Sequence, residues 1–166
     1  MQVRCVMFLK VEGIIIKILN LNIFNMTYFE LISRLLGSAA EEPNINYYGC
    51  GDIYKLNSIP AIEYSVFYIT PNTFNVDEDT ITYSLNLYYI DRWDETDNNQ
   101  LEIQSSGILA LQNIINRFNT DYANVEIDYP LVFTPFYQRF KDICAGVFVR
   151  INVRVDNIIG ECVNYE

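Results

Sequence analysis

The densest group of ionisable side chains in this 166-residue chain is the run DRWDETD, in which Asp91, Asp94, Glu95 and Asp97 surround a single arginine. Clustered carboxylates can hold a hard cation, work as an acid and base pair, cap a helix, or meet a basic surface on another molecule. A calcium loop of the EF-hand type needs ligands at alternate positions, a glycine at its sharp turn and a closing bidentate Glu, and residues 91–97 supply none of these. No metal or other cofactor is therefore expected. Asp97 followed three residues later by Gln100 fits a helix start, where the positive end of the helix dipole also favours Asp94 and Glu95.

Catalysis has little else to draw on. The chain contains no histidine, which removes Ser-His-Asp and Cys-His nucleophilic chemistry and the HExxH metal site. Cys5, Cys50, Cys144 and Cys162 lie far apart with no CxxC pair, so they read as buried free thiols rather than as a zinc or redox motif. Gly49-Cys50-Gly51 lacks the length and the lysine of a phosphate loop and reads as a turn. A carboxylate-dependent enzyme would need two acids brought together with separated pKa values, which sequence does not show. The expectation is a protein that is not an enzyme.

Placing the acidic run requires the surrounding elements. Thr27-Tyr28-Phe29-Glu30 matches a capping box, and Phe29, Ile32 and Leu36 follow at helical spacing until Gly37-Ser38. Residues 39–59, with Pro43, Gly49 and Gly51, read as a long connection. Alternation predicts a strand from Ala61 to Thr70, ended by Pro71-Asn72-Thr73, and a second from Thr80 to Asp91 that pairs with it antiparallel. Asp77, Glu78 and Asp79 form an acidic tip between them. Leu101, Ile108, Leu111, Ile115 and Phe118 predict an amphipathic helix after the acidic corner. Val125 to Leu131 and Gly146 to Val155 complete the alternating segments. The expected fold is α+β: an antiparallel sheet of about four strands with two helices on one face.

Hydrophobic content of 51% and the absence of repeats or low-complexity linkers point to one domain over residues 26–166. Residues 1–25 stand apart as an N-terminal extension, either a hairpin turning at Val11-Glu12-Gly13 or a stretch upstream of a start at Met26. Lys10, Glu12 and Lys17 interrupt it too often for a signal peptide or a membrane span. If folded, it would add strand to a sheet edge or to a neighbouring subunit.

The net charge of -10 opposes indiscriminate binding to nucleic acid. Its distribution is uneven: residues 77–102 hold eight acids and one base, whereas 139–154 hold Arg139, Lys141, Arg150 and Arg154 against Asp142. Complementary patches on identical chains allow head-to-tail association and ring closure. Thirteen Tyr and ten Phe, including Phe67, Tyr88, Phe136, Tyr137 and Phe148 on polar faces or in loops, suit a contact surface or a carbohydrate- or ligand-binding module.

The segments DTITYSLNLYYIDRWDETDNNQLEIQSSGILALQNIINRF and PLVFTPFYQRFKDICAGVFVRINVRV, with MTYFELISRLLG before them, resemble the neck proteins of tailed bacteriophages of Bacteroidales, including ring proteins of crAss-like phages. The resemblance spans roughly residues 26–160. It implies a tail-terminator-like or head-tail connector fold without catalysis, assembled as a hexameric or dodecameric ring between portal and tail. It implies a virion protein, assembled in the host cytoplasm, that lets DNA pass without specific binding and meets no membrane. Asp91, Asp94, Glu95 and Asp97 would form one side of a subunit contact, Arg139, Arg150 and Arg154 the other. Asp77, Glu78 and Asp79 would lie in the lumen or on a loop.

Overall fold

A computed structural model describes residues 5–11, 14–21, 26–94, 96, 99–121, 125–139 and 143–157. Helix α1, Tyr28–Ala40, starts where its cap predicts: the Thr27 hydroxyl accepts the Glu30 N–H at 3.2 Å. Only half of the capping box forms, because the Glu30 carboxylate pairs with Arg34 one turn on. The helix passes through Gly37 and Ser38 instead of ending there, since Leu31, Ile32, Leu35 and Ala39 continue a buried stripe at helical spacing.

Strand β3, Tyr47–Cys50, lies within the stretch expected to be a connection, and it pairs parallel with β4, Val66–Val76. The sheet is therefore mixed, not antiparallel. Four residues give too few alternations to read, and the pairing comes from the fold around them. β4 begins later than the sequence suggests and runs through Pro71. Beyond Ile69 it has no β3 partner, so the missing proline N–H falls on an edge, and the register slips between Pro71 and Thr73. β5, Thr80–Arg92, pairs antiparallel with β4. Helix α2, Gln100–Asp121, then leads to β6, Val125–Ile127, β7, Phe133–Arg139, and β8, Cys144–Asp156. β8 is antiparallel to β5 along its whole length and carries β6 and β7 on its other edge, giving the order β3-β4-β5-β8-β6 with β7 also on β8. Six strands replace the four expected. The strand expected over 125–131 stops at Ile127.

One face of the sheet packs on both helices. Phe67, Ile69, Leu85, Leu87, Tyr89, Val147, Val149, Ile151 and Val153 meet Leu31, Leu35, Leu111, Ile114, Ile115 and Phe118 in one apolar cluster. The buried stripe of α2 is Ile103, Ala110, Leu111, Ile114, Ile115 and Phe118. Leu101 and Ile108, which helical spacing placed in it, are exposed. Glu42, 6% exposed, ties the helices together by accepting from Asn113 at 3.4 Å and pairing with Arg117 at 3.6 Å.

The opposite face is divided. Over one half, the 3-10 segment Ile53–Ser58 and β7 cover a second cluster of Leu56, Val66, Tyr68, Ile90, Phe136 and Cys144, with Tyr88 and Phe148 stacked beside it at 5.3 Å. This corrects the reading of the aromatics as a contact surface: Phe67 is wholly buried in the main core, Phe136 is 4% exposed, and only Tyr137 of the five stands out in solvent. The other half is open and polar.

Strands β1, Cys5–Val11, and β2, Ile14–Leu21, pair antiparallel as a separate two-stranded sheet, with Met7 opposite Ile18, Leu9 opposite Ile16 and Val11 opposite Ile14. Among the described residues no helix is long and apolar enough to cross a membrane.

Two helix glycines have opposite roles. A Cβ on Gly107 would lie 2.7 Å from both Tyr89 and Val147, so the glycine lets α2 sit close on the sheet, whereas Gly37 faces open space. Gly37→Ala is expected to stabilise by about 1 kcal/mol through helix propensity. Gly107→Ala is expected to lose about 1–3 kcal/mol to overpacking, outweighing the same gain. Thermal melts of both variants test this, at about 2–4 °C per kcal/mol for a chain of this size.

Candidate functional site

The charged residues singled out by sequence separate along β5 and β8. A 13-residue strand at about 3.3 Å per residue is roughly 40 Å long, so the acidic tip before Thr80 and the acidic corner after Ile90 lie at opposite ends of β5. The eight acids of residues 77–102 do not make one patch.

At the tip, the Asp77 N–H donates to the Thr80 carbonyl at 2.8 Å. Asn157 closes the turn, its backbone N–H donating to the Asp79 carbonyl and its Nδ2 to the Asp77 carbonyl, each at 2.8 Å. These bonds satisfy the turn's backbone and leave the carboxylates of Asp77, Glu78 and Asp79 exposed, with no cationic partner among the described residues.

At the corner, Asp91 is half-buried. Its Oδ1 accepts the Arg92 N–H at 2.7 Å and its Oδ2 the Tyr89 hydroxyl at 3.5 Å. Burial pushes its carboxyl above the usual carboxylate range, against the pull of these two donors. The exposed Asp94 accepts the Thr96 N–H at 2.8 Å in a local turn. Asn99 organises the approach to α2: its Oδ1 accepts the Asp94 N–H at 3.0 Å, its Nδ2 reaches the Arg92 carbonyl, and its carbonyl takes the Ile103 N–H. Sequence reading singled out Asp97 and passed over Asn99, whose side chain bonds back to the end of β5 rather than to the amides of the first helical turn. Asp97, with the capping role expected of it, and Glu95 lie outside the described residues. The Arg92 guanidinium rests over the Tyr64 ring at 5.4 Å. The Trp93 backbone N–H donates to the carbonyl of Ile143, which holds a left-handed φ of 47°.

The basic residues are equally dispersed. Arg139 and Arg154 pair at opposite ends of β8, with Cys144 as strand partner of the first and Thr82 of the second; the Arg139 side chain and Lys141 lie outside the described residues. Arg154 is engaged within its own chain, bonding Glu126 at 3.5 Å and Asp128. Asp128 also accepts from Asn152 at 3.4 Å. Arg150 differs: its Nε donates to the Asn86 Oδ1 at 3.2 Å, and among the described residues it meets no carboxylate. It stands exposed on the open polar half of the sheet, with Thr82, Ser84, Asn86 and Asn152 as neighbours.

Two further places could do chemistry. Cys50 is exposed, not buried as its composition suggested, with its sulfur 4.0 Å from the Tyr28 hydroxyl. Partial burial pushes the thiol up, and desolvation with Cys50 nearby pushes Tyr28 up to about 12, so the pair stays protonated and the sulfur is a poor nucleophile. An open groove of about 610 Å³ runs between α2 and the segment before β7, lined by Gln112, Ile115, Asn116, Tyr129, Leu131 and Phe133. Sequence gave no signal for it beyond the Tyr129-Pro130 bend. Among the described residues no three Cys, Asp or Glu side chains converge as metal ligands.

Because the Asp91 carboxyl sits above its unfolded value, the native chain binds that proton more tightly than the unfolded one. Stability tied to it is present at low pH and is lost as pH rises through the carboxylate range. Asp91→Asn, which keeps an acceptor for the Arg92 N–H, is expected to raise the melting temperature by a few degrees at pH 7. Melts repeated below pH 4 should show the gain shrinking.

The sequence matches no protein-family model and no curated protein.

Proposed function

We propose that this chain is a structural subunit of a ring in the neck of a tailed bacteriophage, joining portal to tail and giving passage to DNA. The observation that carries the reading is the distribution of unmatched charge. Arg150 on the open sheet face and the carboxylates of Asp77, Glu78 and Asp79 at the β4–β5 turn lack opposite-charge partners among the described residues. Two complementary sites at different places on one surface make a heterologous contact, and repetition of such a contact closes a ring when the rotation permits. Charge there sets register and partner choice more than affinity. The mixed sheet with two helices on one face accommodates the tail-terminator-like fold that the sequence resemblance implies. The net charge of -10 suits a lumen through which DNA slides without adhering. The role is structural, in a ring of six or twelve subunits bounded by portal and tail proteins, with assembly in the host cytoplasm and residence in the virion.

A second reading rests on the groove beside α2. Tyr129 and Phe133 with Gln112 and Asn116 offer an apolar wall and amide hydrogen bonds, as a small-ligand or carbohydrate module does.

Native mass spectrometry separates the two. The full chain is expected to assemble, and Arg150→Glu to weaken that assembly while its dissociated chain melts like dilute wild type. Arg154→Glu behaves differently, because it places a third acid against Glu126 and Asp128 and lowers the monomer's own stability by about 1 kcal/mol. A wild-type chain that stays monomeric and binds a saccharide saturably overturns the ring in favour of the binding module.

A further inference from the structure

The exposed large apolar residues are not scattered. Leu101, Ile108 and Leu109 on α2 and Tyr129, Val132 and Tyr137 around β7 account for half of those on the described surface, and Tyr129 also lines the open groove. Gln104 reaches the Phe136 carbonyl at 3.4 Å, so this side of α2 and β7 form one continuous flank. Apolar surface gathered in this way marks a protein contact.

The chain also contains an element that needs such a surface. β1 and β2 read CVMFLKV and IIIKILNL, twelve apolar residues of fifteen, and among the described residues they pair with each other and with no other strand. An isolated two-stranded sheet is marginal in water. Its charge is opposite to that of the rest of the molecule. Arg4, Lys10 and Lys17 against Glu12 give residues 1–25 a net charge of +2, leaving -12 on residues 26–166 from eight bases and twenty acids. Glu102 stands exposed in the first turn of α2. The eight residues of β2 span about 26 Å and the 22 residues of α2 about 33 Å, so the hairpin is long enough to lie along the helix. Pro135 within β7 opposes simple extension of the sheet at that edge, so the contact is face-on rather than strand to strand.

We propose that the N-terminal hairpin of one copy covers the α2–β7 flank of the next. This rests on the ring reading above and names the contact that would hold its subunits together.

The test uses the full chain in two double variants, Ile16→Asp with Ile18→Asp in the hairpin and Leu109→Asp with Val132→Asp on the flank, examined by native mass spectrometry and thermal melts. Each is expected to be monomeric at concentrations where wild type assembles, with association weakened at least tenfold and a cooperative melt like that of dilute, dissociated wild type. Mixed one to one, the two variants should form a heterodimer, because each retains the half that the other lacks. Hairpin variants that assemble like wild type overturn this contact and leave the ring standing. Hairpin variants that keep wild-type mass but melt lower show the hairpin packed on its own chain, which also overturns it. A wild-type chain monomeric throughout removes the ring and this contact together.

Discussion

Strand β8 is the member on which the other elements depend. It lies in the interior of the sheet, bonded to β5 along its full length on one edge and to β6 and β7 in turn on the other. Backbone pairing on both edges leaves only the two faces for discrimination, and alternation assigns them: Val147, Val149, Ile151 and Val153 are fully buried against the helices, while Arg150, Asn152 and Arg154 face away. A slip of one residue would exchange the two sets, placing two arginines in the apolar core. Register here is thus enforced by burial, and it fixes the position of every charged group on the open face.

The division of that outer face follows from what covers it. Where the 3-10 segment and β7 fold over, the strands present Val66, Tyr68, Ile90 and Phe148; further along they present the polar Thr82, Asn86, Arg150 and Asn152, of which Arg150 is exposed. One sheet face therefore changes from core to surface along its own strands. Gly146 marks the covered half, since a Cβ there would overlap the Tyr89 carbonyl and the Phe136 ring. The acidic corner belongs to the same economy of local bonds: Asp91 and Asp94 accept neighbouring backbone N–H groups, and Asn99 joins the end of β5 to the start of α2. What remains available for a partner is the tip at 77–79, Arg150, and the apolar flank of α2.

The long, strongly periodic elements were legible. The alternation of Ile81 to Tyr89 and of Val147 to Val155 names the buried face correctly, and Thr27 marks the start of α1. What escaped reading depended on tertiary context. β3 is too short to carry a period, β4 continues through a proline because that side is an edge, and β7 alternates with Pro135 in its centre. Leu101 and Ile108 obey helical spacing as well as Ile103 and Ile114 do, and only the packing of α2 distinguishes them. The charged clusters illustrate the same limit. Nearness in sequence suggested one acidic and one basic patch, yet an extended strand carries its ends far apart, and Arg154 turned out to serve Glu126 and Asp128.

The place of β8 in the chain has a temporal consequence. It follows every other described element in sequence, yet it occupies the interior of the sheet, and its pairing of Thr80 with Asp156 closes a loop of about 76 residues. Such distant pairing is slow relative to helix or hairpin formation. On a growing chain α1, the β4–β5 hairpin and α2 emerge first, with Leu85, Leu87 and Leu111 lacking the strand that will bury them. Until that last long strand arrives the nascent protein presents an unpaired β5 edge beside bare apolar faces, the condition in which chains adhere to one another and to chaperones. Cooperative closure of the fold waits on its latest-made strand.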